Sequence, residues 1–150
     1  MRKIVVMSVQ FGCKFIGTEL GKKILDVLSS LTGALLIQHM LPHDMVAFAE
    51  QNHVEVQKWY AFPSYKARED VIASRAREFV KRATECFLFF EKHPKESSYH
   101  FVGKRQIIIG RAFKELHPDR PCHVFVSIDG IVRECTVDEA EVALGWKLHA

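Results

Sequence analysis

The sequence predicts an α/β fold, with a mainly parallel five-stranded sheet flanked by helices in three layers. Short apolar runs alternate with amphipathic stretches of helical period along residues 3–128, and this alternation is typical of successive βαβ units. Several runs are apolar at every position, as expected of strands that helices cover on both faces. Right-handed crossovers then leave few topologies, and we expect the strand order 3-2-1-4-5.

The first half of the chain shows three strand patterns and two helix patterns. Apolar residues recur at helical spacing between positions 20 and 31, and Gly33 follows as the expected C-terminal glycine. Asp44 precedes the next helical stretch, where an N-cap is expected. The predicted strands cover Ile4–Val9, 34–37 and 54–58, and the predicted helices cover about 16–31 and 44–51.

The second half continues the alternation. Residues 86–90 are apolar throughout, so we expect this strand at the centre of the sheet. The polar segment 91–104 is interpreted as a long loop, and His117-Pro118 ends the helix that follows it. The predicted helices cover about 68–84 and 105–116, and the predicted strand covers Cys122–Ile128.

The C-terminal segment departs from the βαβ pattern. Asp129-Gly130 is a two-residue hairpin signal, which predicts that Ile131–Cys135 returns antiparallel to the preceding strand. Thr136 and Glu139 have capping-box spacing and open a helix predicted over Val137–Leu144. We therefore expect a single domain over 1–150, with a core of about 3–128 and a C-terminal extension over 129–150.

Composition excludes several classes of protein. Hydrophobic residues make up 48% and charged residues 26% of the 150 residues, which is ordinary for a globular protein. The net charge is +3, and the densest basic stretch, 66–82, also contains acidic residues, so nucleic-acid binding is not expected. The sequence has no signal-peptide pattern and no apolar run of membrane-spanning length, so we expect a cytoplasmic protein with no membrane partner. Cys86 and Cys122 lie in apolar runs and are predicted to be free thiols.

In open α/β sheets, ligands bind beyond the carboxyl ends of the strands, where the strand order reverses. For the expected order this point lies between strands one and four. It brings Ser8, Gln10 and Phe11 opposite Glu91, with the loop 38–43 beside them. The amides that begin the following helices favour a phosphate or another anion. A G-x-G-x-x-G fingerprint is absent, so the classical dinucleotide site is not expected.

The stretch 75–84, with the sequence RAREFVKRAT, leads into the apolar strand 86–90. This arrangement resembles a motif of the SLOG superfamily, which includes the DNA-processing protein A fold and the Lonely-guy phosphoribohydrolases. Residues 8–10 line up with the Gly-Ser-Arg that follows strand one in one branch, and residues 38–44 line up with its glycine-rich loop. Asp44 and Arg75 match the polar pattern of that branch, whereas Ser8, Gln10 and Ala76 replace its glycine, arginine and asparagine.

The resemblance implies a Rossmann-like domain that binds a nucleotide or a nucleotide-derived ligand, in some members as a sensor. A second hypothesis is an N-glycosidic-bond hydrolase or transferase with Glu91 as the catalytic carboxylate. A third is a protein-interaction module that has lost the ligand site. No cofactor and no metal site are predicted. The candidate ligand-binding residues are Ser8, Gln10, Phe11, Gln38, His39, Asp44, Arg75, Ser97 and Ser98.

Several of these residues also have an ordinary structural explanation. Asp44 is as well placed for capping a helix as for binding, and Ser97 and Ser98 lie in a segment that is simply polar. We expect Arg75 to point toward the ligand site, where a guanidinium pairs well with a phosphate.

The C-terminal helix leads to the prediction of a two-fold homodimer. It carries more apolar residues than one buried face needs, and the alternative is that Trp146 and its neighbours pack against their own sheet. The residues in question are Val137, Ala140, Val142, Ala143, Leu144 and Trp146.

Overall fold

A computed structural model describes residues 2–10, 13–59 and 68–146, with the side chains of Phe101 and Val102 left out. The candidate Phe11 therefore lies outside the described residues. The strands are β1 (Ile4–Val9), β2 (Leu35–His39), β3 (Glu55–Lys58), β4 (Glu85–Glu91), β5 (Cys122–Ile128) and β6 (Ile131–Cys135). The helices are α1 (Glu19–Ser29), α2 (His43–Gln51), α3 (Glu69–Val80), α4 (Ser98–Leu116) and α5 (Val137–Leu144).

The strands form one sheet in the order β3-β2-β1-β4-β5-β6. The first five strands are parallel, and β6 pairs antiparallel with β5 through the hairpin. Strands β1 and β4 are neighbours, with Val5 opposite Glu85 and Val9 opposite Phe89. The predicted α/β class, the strand order and the central position of β4 are confirmed.

Side chains that alternate along the strands face two separate cores. Val5, Met7 and Val9 pack with α1 and α2, whereas Val6 packs with α3, α4 and α5 on the opposite face. This arrangement gives the three predicted layers. It also means that successive residues at the end of a strand face different helices, so Ser8 and Val9 belong to different surroundings.

Helix α4 begins two turns earlier than the sequence predicted. Residues 98–104 belong to the helix and not to a loop, and Ser97 caps the helix by accepting from the backbone N–H of Tyr99 at 3.2 Å. The segment is too polar to show an apolar stripe, because its inward face is built from His100, Gly103 and Gln106. A Cβ at Gly103 would lie 2.9 Å from Nε2 of Gln10, so a larger residue there would have to displace the Gln10 carboxamide.

The predicted N-cap role of Asp44 is wrong. Pro42 occupies the cap position and accepts from the N–H groups of Met45 and Val46. The fixed φ of proline suits a helix start. Asp44 falls in the first turn, where its carboxylate accepts from the N–H of Met45 at 3.0 Å.

The C-terminal hairpin and helix follow the prediction. Asp129 and Gly130 both have positive φ, 53° and 81°, as a type I′ turn requires. The capping box of α5 is complete, with the Thr136 hydroxyl and the Glu139 carboxylate each accepting from the other residue's backbone. The apolar residues of this segment pack mainly on their own sheet, since Val137, Ala140, Leu144 and Trp146 are buried.

No helix among residues 2–10, 13–59 and 68–146 has both the length and the apolar character that crossing a bilayer needs.

Candidate functional site

A cleft of about 620 Å³ opens at the carboxyl ends of β1, β2 and β3. The connection from β2 to α2 forms one wall, and the edge strand β3 forms another. This is the edge of a parallel sheet where ligands bind in open α/β folds. The lining residues are Gln10, Cys13, Phe15, Gln38, Met40, Leu41, Pro42, His43, Val46, Val56 and Lys58.

The cleft combines an apolar wall with a few polar groups at its ends. Phe15, Leu41 and Val56 supply much of the apolar surface, while Lys58 and His43 supply groups that interact with anions. Small-molecule sites in proteins have this composition and this range of volume. The arrangement can hold a flat apolar group against the wall and an anionic group near Lys58.

Gln38 shapes the connection that borders the cleft. Its Oε1 accepts from the backbone N–H of Leu41 at 2.9 Å, which holds the turn closed. Within that turn Met40 has a φ of 68°. This conformation costs free energy in any residue that carries a β-carbon.

Gln10 fills the point between β1 and β4 at which the strand order reverses. The side chain is 2% exposed. Its Oε1 accepts from the backbone N–H of Glu91 at 2.9 Å, and its Nε2 donates to the carbonyl of Tyr99 at 2.7 Å. The carboxamide thereby ties the ends of β1 and β4 to the first turn of α4. The ligand position expected from the topology is occupied by the protein's own side chain.

Glu91 lies beside Gln10 but is not among the residues that line the cleft. Its Oε1 accepts from the backbone N–H of Lys14 at 2.9 Å, so the carboxylate orders the chain after β1. The neighbouring Cys13 does line the cleft, and its pKa is raised chiefly by burial and then by the charge of Glu91. A thiol in that environment stays protonated and is a poor nucleophile.

Ser8 and His39 form a buried polar cluster with Gln106 of α4 on the other face of the sheet. The Oγ of Ser8 lies 3.1 Å from Nδ1 of His39, and Nε2 of Gln106 donates to the same Oγ at 3.1 Å. A neutral His39 accepting from Ser8 fits both contacts. Burial lowers the pKa of His39 to about 4, with further contributions from the charges of Arg105 and Lys58. The ring is therefore neutral at pH 7.

The other candidate residues lie away from the cleft. Arg75 is on the exposed face of α3, with its guanidinium 3.8 Å from the carboxylate of Glu78. Its described ion pair is thus with its own helix, and Arg75 does not line the cleft toward which it was expected to point. Ser97 caps α4 and Ser98 is exposed at the first position of that helix. Asp44 is exposed and does not line the cleft.

The residues of these two sites that were missed from the sequence include a lysine, a glutamine and a cysteine. Lys58 is the last residue of a predicted strand. Its position in the sequence therefore indicated a positive charge at the ligand-binding edge of the sheet. Gln106 stands directly before the apolar run Ile107–Ile108–Ile109 and is buried with it. A polar residue next to the buried residues of a predicted helix was the signal that could have identified it. Cys13 gave no signal, because its place depends on the course of the chain after β1. Within the described residues, no group of three or more histidine, cysteine or acidic side chains is arranged to hold a metal ion.

Solved structures include a weak match to this chain. A short-chain dehydrogenase from Oenococcus oeni PSU-1 aligns with 87% of this chain and 63% of its own chain, at 13% identity and a TM-score of 0.44. No family model and no curated protein sequence matches the chain. The strand order and the helices on both faces decide the architecture. The fold is Rossmann-like. Membership of the SLOG superfamily stays a prediction.

Proposed function

We propose that this chain is a binding domain for a small nucleotide-derived ligand, and that the ligand occupies the cleft above β1, β2 and β3. The observation that carries the proposal is the position of the cleft. It opens at the carboxyl ends of three parallel strands and borders the start of α2. Rossmann-like sheets bind nucleotides at this edge.

The polar groups of the cleft support the same ligand class. Lys58 stands at the end of the edge strand β3, and the backbone N–H groups of His43 and Asp44 open α2, ahead of the N–H groups of Met45 and Val46 that the Pro42 carbonyl accepts. Cations and helix N-termini both favour phosphate. A phosphate at this end leaves the base against Phe15 and Val56, with the carboxamide of Gln38 within the same wall.

The conformation of Met40 is a second argument. A non-glycine residue with positive φ is uncommon, and such strain tends to persist where the surroundings hold a binding loop in place. Here the hydrogen bond from Leu41 to Gln38 holds the turn that carries Met40 into the cleft wall. A preformed wall lowers the conformational entropy that a ligand must remove on binding.

Titration calorimetry with nucleoside monophosphates and the matching nucleosides tests the proposal. We expect Lys58→Ala to weaken binding of the monophosphate about tenfold or more, since a charge-assisted hydrogen bond contributes about 1.5–3 kcal/mol. Binding of the nucleoside should stay nearly unchanged, because it lacks the phosphate. Lys81→Ala, which removes an exposed lysine after α3, is the matched control.

The alternatives give different results in the same experiment. Absence of heat with every nucleotide, in a folded wild-type protein, contradicts the proposal and leaves the protein-interaction module as the next hypothesis. Binding followed by release of the free base supports the N-glycosidic hydrolase. In that case Glu91→Gln tests whether Glu91, which does not line the cleft, is the catalytic carboxylate, because the amide retains an oxygen that accepts from Lys14.

A further inference from the structure

Two of the four cysteines lie directly opposite each other on neighbouring strands. Cys86 of β4 is paired in register with Cys122 of β5. Neighbouring strands are about 4.8 Å apart, and disulfides form across Cα separations of about 4.4–6.8 Å. Residues in register point to the same face, and both thiols pack in the core beneath α3 and α4. Both are free thiols.

The connection from α4 to β5 holds this pair in place. Arg120 donates to the carbonyl of Ala83 at 2.6 Å, and Nε2 of His117 lies 3.0 Å from the carbonyl of Val80. The backbone N–H of Cys86 donates to the carbonyl of Pro121 at 3.1 Å. These contacts on the amino-terminal side of the pair fix the start of β5 against the start of β4.

The two thiols differ in access and in reactivity. Cys86 is fully buried, whereas Cys122 is only partly buried. A hydrogen bond from the Cys86 thiol lowers the pKa of Cys122, and the charge of Lys114 lowers it further. Burial, together with the same contact, raises the pKa of Cys86. A less buried thiol with a lowered pKa, in register with a second thiol on the neighbouring strand, is the arrangement of an attacking and a resolving cysteine.

We propose that Cys122 and Cys86 form a reversible thiol–disulfide site that hydroperoxides oxidise. The Cys122 thiolate attacks one oxygen of the hydroperoxide, the O–O bond breaks, and an alcohol (water, when the oxidant is hydrogen peroxide) leaves with a proton. The resulting sulfenic acid is attacked by the Cys86 sulfur, its S–O bond breaks, and water leaves. In total two thiols lose two electrons and two protons, and the hydroperoxide accepts them.

The disulfide is reduced again by thiol–disulfide exchange, in which an external thiolate attacks one of its two sulfurs. The site lies at the amino ends of the strands, opposite the nucleotide cleft, so it does not depend on the proposed function.

Mass spectrometry of the non-reduced protein tests the site directly. The four cysteines fall in four different tryptic peptides, with Cys86 in residues 83–92 and Cys122 in residues 115–133. After treatment with hydrogen peroxide we expect these two peptides to be joined and two thiols to be lost. Dithiothreitol should restore both thiols. Unlinked peptides with Cys122 trapped as a dimedone adduct, or a link to Cys13 or Cys135, would overturn the proposal.

Matched variants separate the two roles. Cys86→Ala should leave Cys122 to accumulate as sulfenic acid, so dimedone labelling should rise at least severalfold over wild type. Cys122→Ser should leave the Cys86 thiol intact at the same peroxide concentration. Cys135→Ser, at a partly buried thiol on β6, is the control and should keep the cross-link. Unchanged dimedone labelling in Cys86→Ala would count against Cys86 as the resolving thiol, and the wild-type result stands even if a variant fails to fold.

Discussion

At the scale of single residues, the buried His39 makes stability depend on pH. Its pKa is about 4 in the folded protein and 6.5 in the unfolded chain. Between these values the unfolded chain binds more protons, so the free energy of unfolding rises with pH. The contribution is complete above about pH 6.5 and is lost as the pH falls through about 4. A difference of this size corresponds to about 3 kcal/mol.

We predict that His39→Asn flattens this dependence. Asparagine places an acceptor near the position of Nδ1 for the Ser8 hydroxyl but does not titrate in this range. Urea unfolding at pH 7.5 and pH 4.5 should show a large loss of stability at the lower pH in wild type and a smaller loss in the variant. His100, whose pKa is also lowered by burial, keeps a residual slope. Equal losses in both proteins would rule out His39 as the titrating group.

The two polar clusters show how far sequence reasoning reaches at this scale. The topology brought Gln10 close to Glu91 and Ser8 close to His39, as the strand order implies. The roles of these side chains depend on contacts with α4, about 90 residues further along the chain. Nothing in the local pattern tells whether a carboxamide at a strand end faces an open cleft or fills a crevice.

At the scale of elements, the capping box of α5 should stabilise the whole fold. We predict that Thr136→Ala lowers the free energy of unfolding by about 1 kcal/mol and the melting temperature by a few degrees. The loss should reach the global transition because Val137 and Leu144 pack into the core over β5. Thr32→Ala, at an exposed threonine in a turn, is the control. Equal melting temperatures for the two variants, measured by calorimetry, would contradict the prediction.

Element boundaries were predictable where hydrophobicity carried the signal. The strands Ile4–Val9 and Cys122–Ile128 and the hairpin strand Ile131–Cys135 have the predicted bounds, since apolar runs or a turn signal delimit them. The predicted start of α4 was wrong, because the inward face of its first turns consists of polar and small residues. These residues show no apolar stripe at helical spacing. A helix that packs through Gly103 and Gln106 looks like a loop when only hydrophobic residues are counted.

At the scale of the whole molecule, the homodimer stays a prediction. The exposed apolar surface that supports it is smaller than the sequence suggested. Most of the apolar residues that suggested it are buried within the chain. Ile131 of the edge strand β6 and Val142 of α5 remain 59% and 80% exposed. We expect light scattering at micromolar concentration to give twice the monomer mass of 17.2 kDa, and Ile131→Lys to return it to the monomer value. Val71→Lys, on the exposed face of α3, should leave the wild-type mass unchanged. A wild-type mass near 17.2 kDa refutes the dimer.

The carboxamide of Gln10 has a consequence for how this fold responds to its surroundings. A ligand held in the crevice between β1 and β4 would stabilise the domain only by mass action, in proportion to its concentration over its dissociation constant. Gln10 is attached to the chain, so its effective concentration is set by the backbone and does not vary with metabolite supply. The crevice between β1 and β4 is thus closed at every ligand concentration. Occupancy of the neighbouring cleft is not needed to hold the sheet together.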